Sequence, residues 1–133
     1  MSKGRILVVD DEPDILQTVQ GILELEGYEV VTAVNGLEGL GAARMDKPDL
    51  VLLDVMLPGE NGYRVARAIR EDEERGVYGR PIPIVLITAR DLSAEPEREK
   101  MFMEFSKADH VLYKPFEFDD LLRLVARLMD SAE

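Results

Sequence analysis

Four places in this chain carry atoms able to do chemistry, and each follows a short apolar run. Asp10-Asp11-Glu12 follows Arg5–Val9, Asp54 follows Leu50–Leu53, Thr88 follows Ile84–Ile87, and Lys114-Pro115 follows Val111–Tyr113. Asp10, Asp11 and Asp54, if brought within a few ångströms, would repel one another, and each would hold its proton more tightly unless a cation sat among them. The donors are all oxygens, with no imidazole or thiolate nearby, which favours a hard ion. Mg2+ suits such a set because it is commonly shared between one or two carboxylates and a phosphate and keeps several waters; Mn2+ is the alternative. Lys114 offers a point charge for an anionic group and Thr88 a hydroxyl donor. A carboxylate beside such an ion, faced by an ammonium and a hydroxyl, is suited to forming an aspartyl-phosphate.

Singly, each residue has a plainer account. Asp10, Asp11 and Pro13 read as a helix cap followed by a first-turn proline. Asp54 reads as a strand end before a turn at Pro58-Gly59, Thr88 as a β-branched strand residue, and Lys114 as a surface lysine. His110 reads as structural, and Met101, Phe102 and Phe105 as helix core. The joint pattern is what resists these accounts: independent strand ends carry complementary chemistry.

The groups converge only if the runs end at one rim. Arg5–Val9, Tyr28–Ala33, Leu50–Leu53, Ile84–Ile87 and Val111–Tyr113 alternate with stretches of helical spacing. Three of the runs are apolar throughout, as expected of strands covered on both faces of a parallel sheet. Ile15, Val19, Ile22 and Leu23 mark one amphipathic helix, entered at Pro13 and left at Gly27; Phe118, Leu121, Leu122, Val125, Leu128 and Met129 mark the last. Five strands alternating with five helices predict an open α/β sheet with right-handed crossovers, which binds ligands beyond the carboxyl ends of its strands.

Composition bounds the function from outside. The 133 residues predict one domain over 1–133, with its core at about 5–129, and their 46% hydrophobic content excludes a disordered acidic tail. A net charge of −11 argues against nucleic acid or an anionic membrane surface as direct partners. With no Cys and one His, zinc-thiolate and multi-histidine sites are excluded. No apolar run approaches a membrane span or a secretory signal, so a cytoplasmic protein is expected.

With these residues in place the chain resembles the receiver domain of bacterial two-component response regulators, from about Arg5 to Met129. The resemblance is carried by Ile6-Leu7-Val8-Val9-Asp10-Asp11-Glu12, Leu53-Asp54-Val55-Met56-Leu57-Pro58-Gly59-Glu60-Asn61-Gly62, Thr88-Ala89 and Lys114-Pro115-Phe116. It implies a flavodoxin-like, doubly wound five-stranded parallel sheet of order 2-1-3-4-5 with helices on both faces. It implies that Asp54 accepts phosphate from a sensor histidine kinase or histidine phosphotransfer protein, followed by slow autodephosphorylation. By the same resemblance Asp11, Asp54 and the main-chain carbonyl of Met56 ligate Mg2+, with Asp10 acting mainly through water. Thr88 and Lys114 would bind the phosphoryl oxygens, and Lys114-Pro115 would be a cis peptide. Such a domain is a signalling switch, catalysing only its own phosphorylation and dephosphorylation, that hands its state to a downstream protein. It can pair with itself through the face of the fourth helix, last strand and last helix.

The chain departs from the family in three places. Receivers usually carry Tyr or Phe three residues before the lysine; here Val111 stands there, and Tyr113 lies on the same strand face as a substitute. The acidic stretch Arg70–Arg80, whose Glu71–Glu74 run reads as a solvated surface, lengthens the third helix or its following loop, and Arg90–Ser106 is long enough to predict a remodelled fourth helix. Met56 and Arg90 are placed to influence water access. Competing readings are a pseudo-receiver that docks without phosphorylation, an aspartyl-phosphate phosphatase, and a flavodoxin. Met56 stands where the phosphatase needs a second Asp, and Asp10-Asp11-Glu12 would repel a flavin phosphate. No output domain is read after the last helix, so a stand-alone receiver, a relay partner and a piece of a longer chain all remain open.

Overall fold

The computed structural model describes residues 2–89 and 95–131. Along the chain run β1 (Arg5–Val9), α1 (Pro13–Leu25), β2 (Glu29–Ala33), α2 (Gly36–Asp46), β3 (Leu50–Asp54), β4 (Met56–Leu57), β5 (Glu60–Asn61), α3 (Gly62–Glu74), β6 (Ile84–Thr88), α4 (Pro96–Ser106), β7 (His110–Tyr113) and α5 (Phe118–Ser131). Five strands form one parallel sheet in the order β2-β1-β3-β6-β7, which is the 2-1-3-4-5 order once the small β4-β5 hairpin is set aside. That antiparallel hairpin has no counterpart in the sequence reading. It turns at Pro58-Gly59, where Pro fixes the first central residue and Gly59 takes φ 69°, as a type II turn requires.

Strand periodicity divides the core into two layers. Leu7, Val9, Val51, Leu53, Ile84 and Leu86 pack beneath Ala43, Val65, Ala66 and Ile69 of α2 and α3. Ile6, Val8, Leu50, Leu52, Val85 and Ile87 pack beneath Leu16, Val19 and Leu23 of α1 and Leu121, Val125 and Met129 of α5. Covered on both faces, β3 and β6 are buried along their whole length, which is why they read as uninterrupted apolar runs. Pro13 occupies the first turn of α1, and Gly27, at φ 100°, follows its end. Among the described residues no helix is long and apolar enough to cross a membrane.

Three expectations need correcting. Pro96–Ser106 is one regular α-helix of eleven residues, so within the described residues the fourth helix is not remodelled; residues 90–94 of that segment lie outside them. Met101 and Phe105 are exposed, because α4 rests on α3 rather than on the sheet, and only Phe102 of that trio packs inward. The 70–80 stretch does extend α3, which runs to Glu74 before a loop turns at Gly76 and Gly79. Yet its acids are not all a solvated face: Asp72 is 2% exposed, and its carboxylate accepts from Arg44 Nε at 2.9 Å and Tyr78 Oη at 3.1 Å.

Candidate active site

The site is built where β1, β3, β6 and β7 end. Asp10 continues β1, and Asp54 closes β3, both on the parity of the face that packs against α1 and α5; Lys114 extends β7 on the same parity. Sheet pairing therefore fixes their approach. Asp10 N–H donates to the Ala33 carbonyl at 3.1 Å, and Lys114 N–H to the Thr88 carbonyl at 2.8 Å. The Lys114–Pro115 peptide is cis, as the resemblance implied.

Lys114 Nζ lies 3.2 Å from Asp10 Oδ2 and 3.1 Å from Asp54 Oδ2, with Glu12 Oε1 at 3.7 Å. The far oxygens are held by the main chain: Asp10 Oδ1 accepts from Glu12 N–H at 2.9 Å, and Asp54 Oδ1 from Met56 N–H at 3.0 Å. Asp10 and Asp54 are 2% and 3% exposed and Thr88 is buried, whereas Asp11 and Glu12 are open to solvent. Burial pushes the Asp54 carboxyl above its ordinary value; the Asp10 charge adds to the rise, while the Met56 amide and Lys114 oppose it. Burial alone would lower Lys114, but its hydrogen bond to Asp54 and the charges of Asp10 and Asp54 outweigh this and raise it.

These positions answer the plainer accounts. The cap position of α1 is Glu12, whose side chain makes no capping bond, so Asp10 is not the helix cap, and with Oδ1 on the Glu12 N–H its Oδ2 faces Lys114. Asp10, Asp11, Glu12 and Asp54 each present an oxygen within 4.8 Å of the others. An all-oxygen set, half buried and half solvent-facing, fits a hard divalent cation that keeps part of its water shell. Glu12 belongs to this group although the sequence reading gave it no role; the signal available was a third consecutive carboxylate. Gly62 was also missed as a positioning residue. It opens α3 against the end of β3, donating to the Val55 carbonyl at 2.9 Å, and a Cβ there would lie 2.4 Å from the Asp54 carbonyl oxygen.

Thr88 and Met56 share a second feature of the rim. Both line, with Asp11, Asn61, Tyr63 and Phe102, a cavity of about 580 Å3 on the α3 side of the rim. The Met56 side chain is exposed there. Val111 packs into the layer beneath α2 and α3, and Tyr113 pairs in register with Thr88. Arg90 lies outside the described residues.

The response regulator receiver domain family matches residues 6–126. Protein PilH of Pseudomonas aeruginosa is 35% identical over 122 residues, covering 92% of this chain and 94% of PilH. The uncharacterized transcriptional regulatory protein YkoG of Bacillus subtilis is 43% identical over 122 residues, covering 92% of this chain but 49% of YkoG. The chain thus spans nearly all of the one relative and about half of the other. Among solved structures, a CheY-like receiver domain from Methanospirillum hungatei superposes with a TM-score of 0.83 at 28% identity, covering 96% of this chain and 94% of that one. The chemotaxis protein CheY4 of Vibrio cholerae gives 0.82 at 30%, covering 96% and 98%. Sheet order, rim chemistry and these matches agree, and the chain belongs to the receiver domain family of two-component response regulators.

Proposed function

We propose that this chain works as a single phosphorylatable receiver, accepting a phosphoryl group on Asp54 from the phosphohistidine of a sensor histidine kinase or histidine phosphotransfer protein. The observation that carries the reading is one ammonium, on Lys114, shared between two buried carboxylates from different strands. Asp54 is the acceptor in this reading because it closes β3, the central strand, between the strand that leads to Asp10 and the strand that ends in Thr88. Asp10 shares its burial, main-chain donor and ammonium but follows β1. A carboxylate oxygen of Asp54 attacks phosphorus in line as the N–P bond breaks; the electron pair stays on the freed imidazole nitrogen, and the ring leaves neutral through the proton on its other nitrogen or by taking one up. Lys114 and Thr88 hold phosphoryl oxygens, offsetting the charge gathered at the rim. Slow hydrolysis reverses the step: water attacks phosphorus, the acyl O–P bond breaks, and carboxylate and inorganic phosphate remain.

Asp10, Asp11 and Asp54, with the main-chain carbonyl of Met56, would hold Mg2+, or Mn2+ in its place, and Glu12 is near enough to contribute. When bound, the ion neutralises the phosphoryl oxygens and the acceptor together. The chain catalyses only its own phosphorylation and dephosphorylation, acts in the cytoplasm and passes its state to a downstream protein. Intact mass after incubation with acetyl phosphate and Mg2+ tests this. One phosphoryl group gained by the wild type and none by Asp54→Asn is expected. Folded wild type that gains no mass would overturn the reading in favour of a phosphorylation-independent docking module.

A further inference from the structure

The cavity beside the rim has an aromatic wall that phosphoryl chemistry does not require. Tyr63 and Phe102 stack with ring centroids 4.4 Å apart and planes within 7°, joining α3 to α4. Both rings line the cavity that also meets Asp11, Met56 and Thr88. Backbone contacts tie Tyr63 to the Asp54–Met56 segment: Gly62 N–H donates to the Val55 carbonyl at 2.9 Å and lies against the Asp54 carbonyl, and Asn61, whose Oδ1 accepts from Tyr63 N–H at 2.7 Å, pairs with Met56. A displacement of the Asp54–Met56 backbone therefore reaches Tyr63 through directly contacting groups.

Attachment of α4 is uneven along its length. Only Ser106, at its last turn, is fully buried. That end is held by Arg70, whose guanidinium donates to the Lys107 carbonyl at 2.8 Å, to Asp109 Oδ2 at 2.8 Å and to the Ile82 carbonyl at 2.7 Å. Midway, Arg67 donates to the Phe105 carbonyl at 2.9 Å and lies over the Phe105 ring at 5.0 Å. Nearer the start of α4, Phe102 stacks on Tyr63, and Met103 also packs inward. Among the described residues the helix is thus pinned at its carboxyl end, packs inward through Phe102 and Met103, and meets the site through the ring pair, with cavity volume next to that pair into which a ring can move.

We propose that the Tyr63–Phe102 stack is the element through which the state of Asp54 sets the position of α4, pivoting about the end pinned by Arg70. Val111, an aliphatic residue packed in the core layer, leaves no ring at its own position to carry that motion. The inference rests on Asp54 being the phosphoacceptor. It makes the exposed face bearing Met101 and Phe105 the surface whose placement changes.

Amide hydrogen exchange over residues 96–106, read with and without acetyl phosphate and Mg2+ while intact mass reports occupancy of Asp54, tests the inference. Wild type should gain the phosphoryl group and change its exchange over α4 by about fivefold or more, the lower edge of ordinary allosteric coupling. Phe102→Leu should gain the same mass, yet change by less than about twofold, whereas Phe102→Tyr, which keeps the ring, should behave as wild type. Should Phe102→Leu fail to fold, Tyr63→Leu carries the same expectation. A full wild-type response in the ring-deleted variant, or a wild type that is phosphorylated without any response in α4, overturns the inference alone. Absence of mass gain in folded wild type overturns the acceptor assignment, and this inference with it.

Discussion

Replacing Lys114 by Met should remove the ammonium from a rim already short of positive charge, leaving buried carboxylates that only a proton or a metal can relieve. The ammonium lies 3.1 Å and 3.2 Å from the two carboxylates and its side chain is 14% exposed. Methionine keeps most of the volume and none of the charge. Removing one partner of a buried ion pair typically costs about 3–5 kcal/mol. The protein has an escape, which is to protonate Asp54. From an ordinary value of 3.8 that costs about 4 kcal/mol at pH 7 and about 1.6 kcal/mol at pH 5, at 1.36 kcal/mol per pH unit. Burial already holds Asp54 above 3.8, so the escape is cheaper still, and a loss of about 3 kcal/mol at pH 7 shrinking to about 1 kcal/mol at pH 5 is expected. Lys114 is raised in the folded state, so its stabilisation is complete below 10.5 and is lost only as pH rises through the folded value. The wild-type lysine therefore contributes no slope between pH 5 and 7. With no Trp in the chain, urea unfolding followed by far-UV circular dichroism without Mg2+ is the assay. A variant within about 1 kcal/mol of wild type at pH 7, or one equally weakened at both pH values, would refute the reasoning.

Asp54→Asn should raise the urea midpoint at pH 7 in the absence of Mg2+. The raised Asp54 stabilises the fold only while protonated, and that contribution is lost as pH rises from 3.8 through the folded value. An Asp54→Asn protein no more stable than wild type at pH 7 would contradict this. Gly62→Ala forces a methyl to within 2.4 Å of the Asp54 carbonyl oxygen and should cost roughly 2–3 kcal/mol by urea unfolding, with phosphorylation slowed because the acceptor strand must shift. Tyr78→Phe removes a donor from buried Asp72 and should cost about 1–2 kcal/mol while leaving phosphorylation of Asp54 unchanged by intact mass. Asp72 runs opposite to Asp54. Its hydrogen bond from Arg44 holds it low, so its stabilisation is present above 3.8 and lost as pH falls through the folded value, and Asp72→Asn should flatten the acid limb of the stability curve.

Much of this architecture was legible because parallel strands covered on both faces leave uninterrupted apolar runs, and β3 and β6 are such strands. The chemistry was legible because it sits at run ends, where position along the chain and position at the rim coincide. What was not legible depends on distant contacts. Helix α2 turns Gly36, Gly39 and Ala43 inward and leaves Leu37 and Met45 about 85% exposed, the reverse of an amphipathic pattern. The reason is close approach: a Cβ on Gly39 would meet Val9 at 2.9 Å, so only small residues fit against the sheet. Likewise Met101 and Phe105 read as core by spacing, but spacing cannot say that α4 lies on α3 and turns Phe102 and Met103 inward instead. Asp72 read as one more solvated acid because nothing in Glu71-Asp72-Glu73-Glu74 reveals which member faces Arg44, 28 residues earlier.

Asp72 and Asp54 together say what separates a structural acid from a functional one in this fold. Both are buried, at 2% and 3% exposure, and desolvation acts on both in the same direction. Around Asp72 there is more positive charge than it needs: Arg44 donates to both oxygens, Tyr78 adds a hydroxyl, and Arg75 stands 3.7 Å away. Its pKa falls, and the group is closed. Around Asp54 one ammonium serves Asp10 and Asp54 and stands near Glu12, while Asp11 joins the same cluster. Its pKa rises because burial and the Asp10 charge outweigh the Met56 amide and Lys114. A compensated buried carboxylate has nothing left to bind, whereas an under-compensated one at a solvent-facing rim gains from every added cation. The acids at the rim are therefore arranged at a cost to the empty fold, and that cost is recovered only when further positive charge is brought to them.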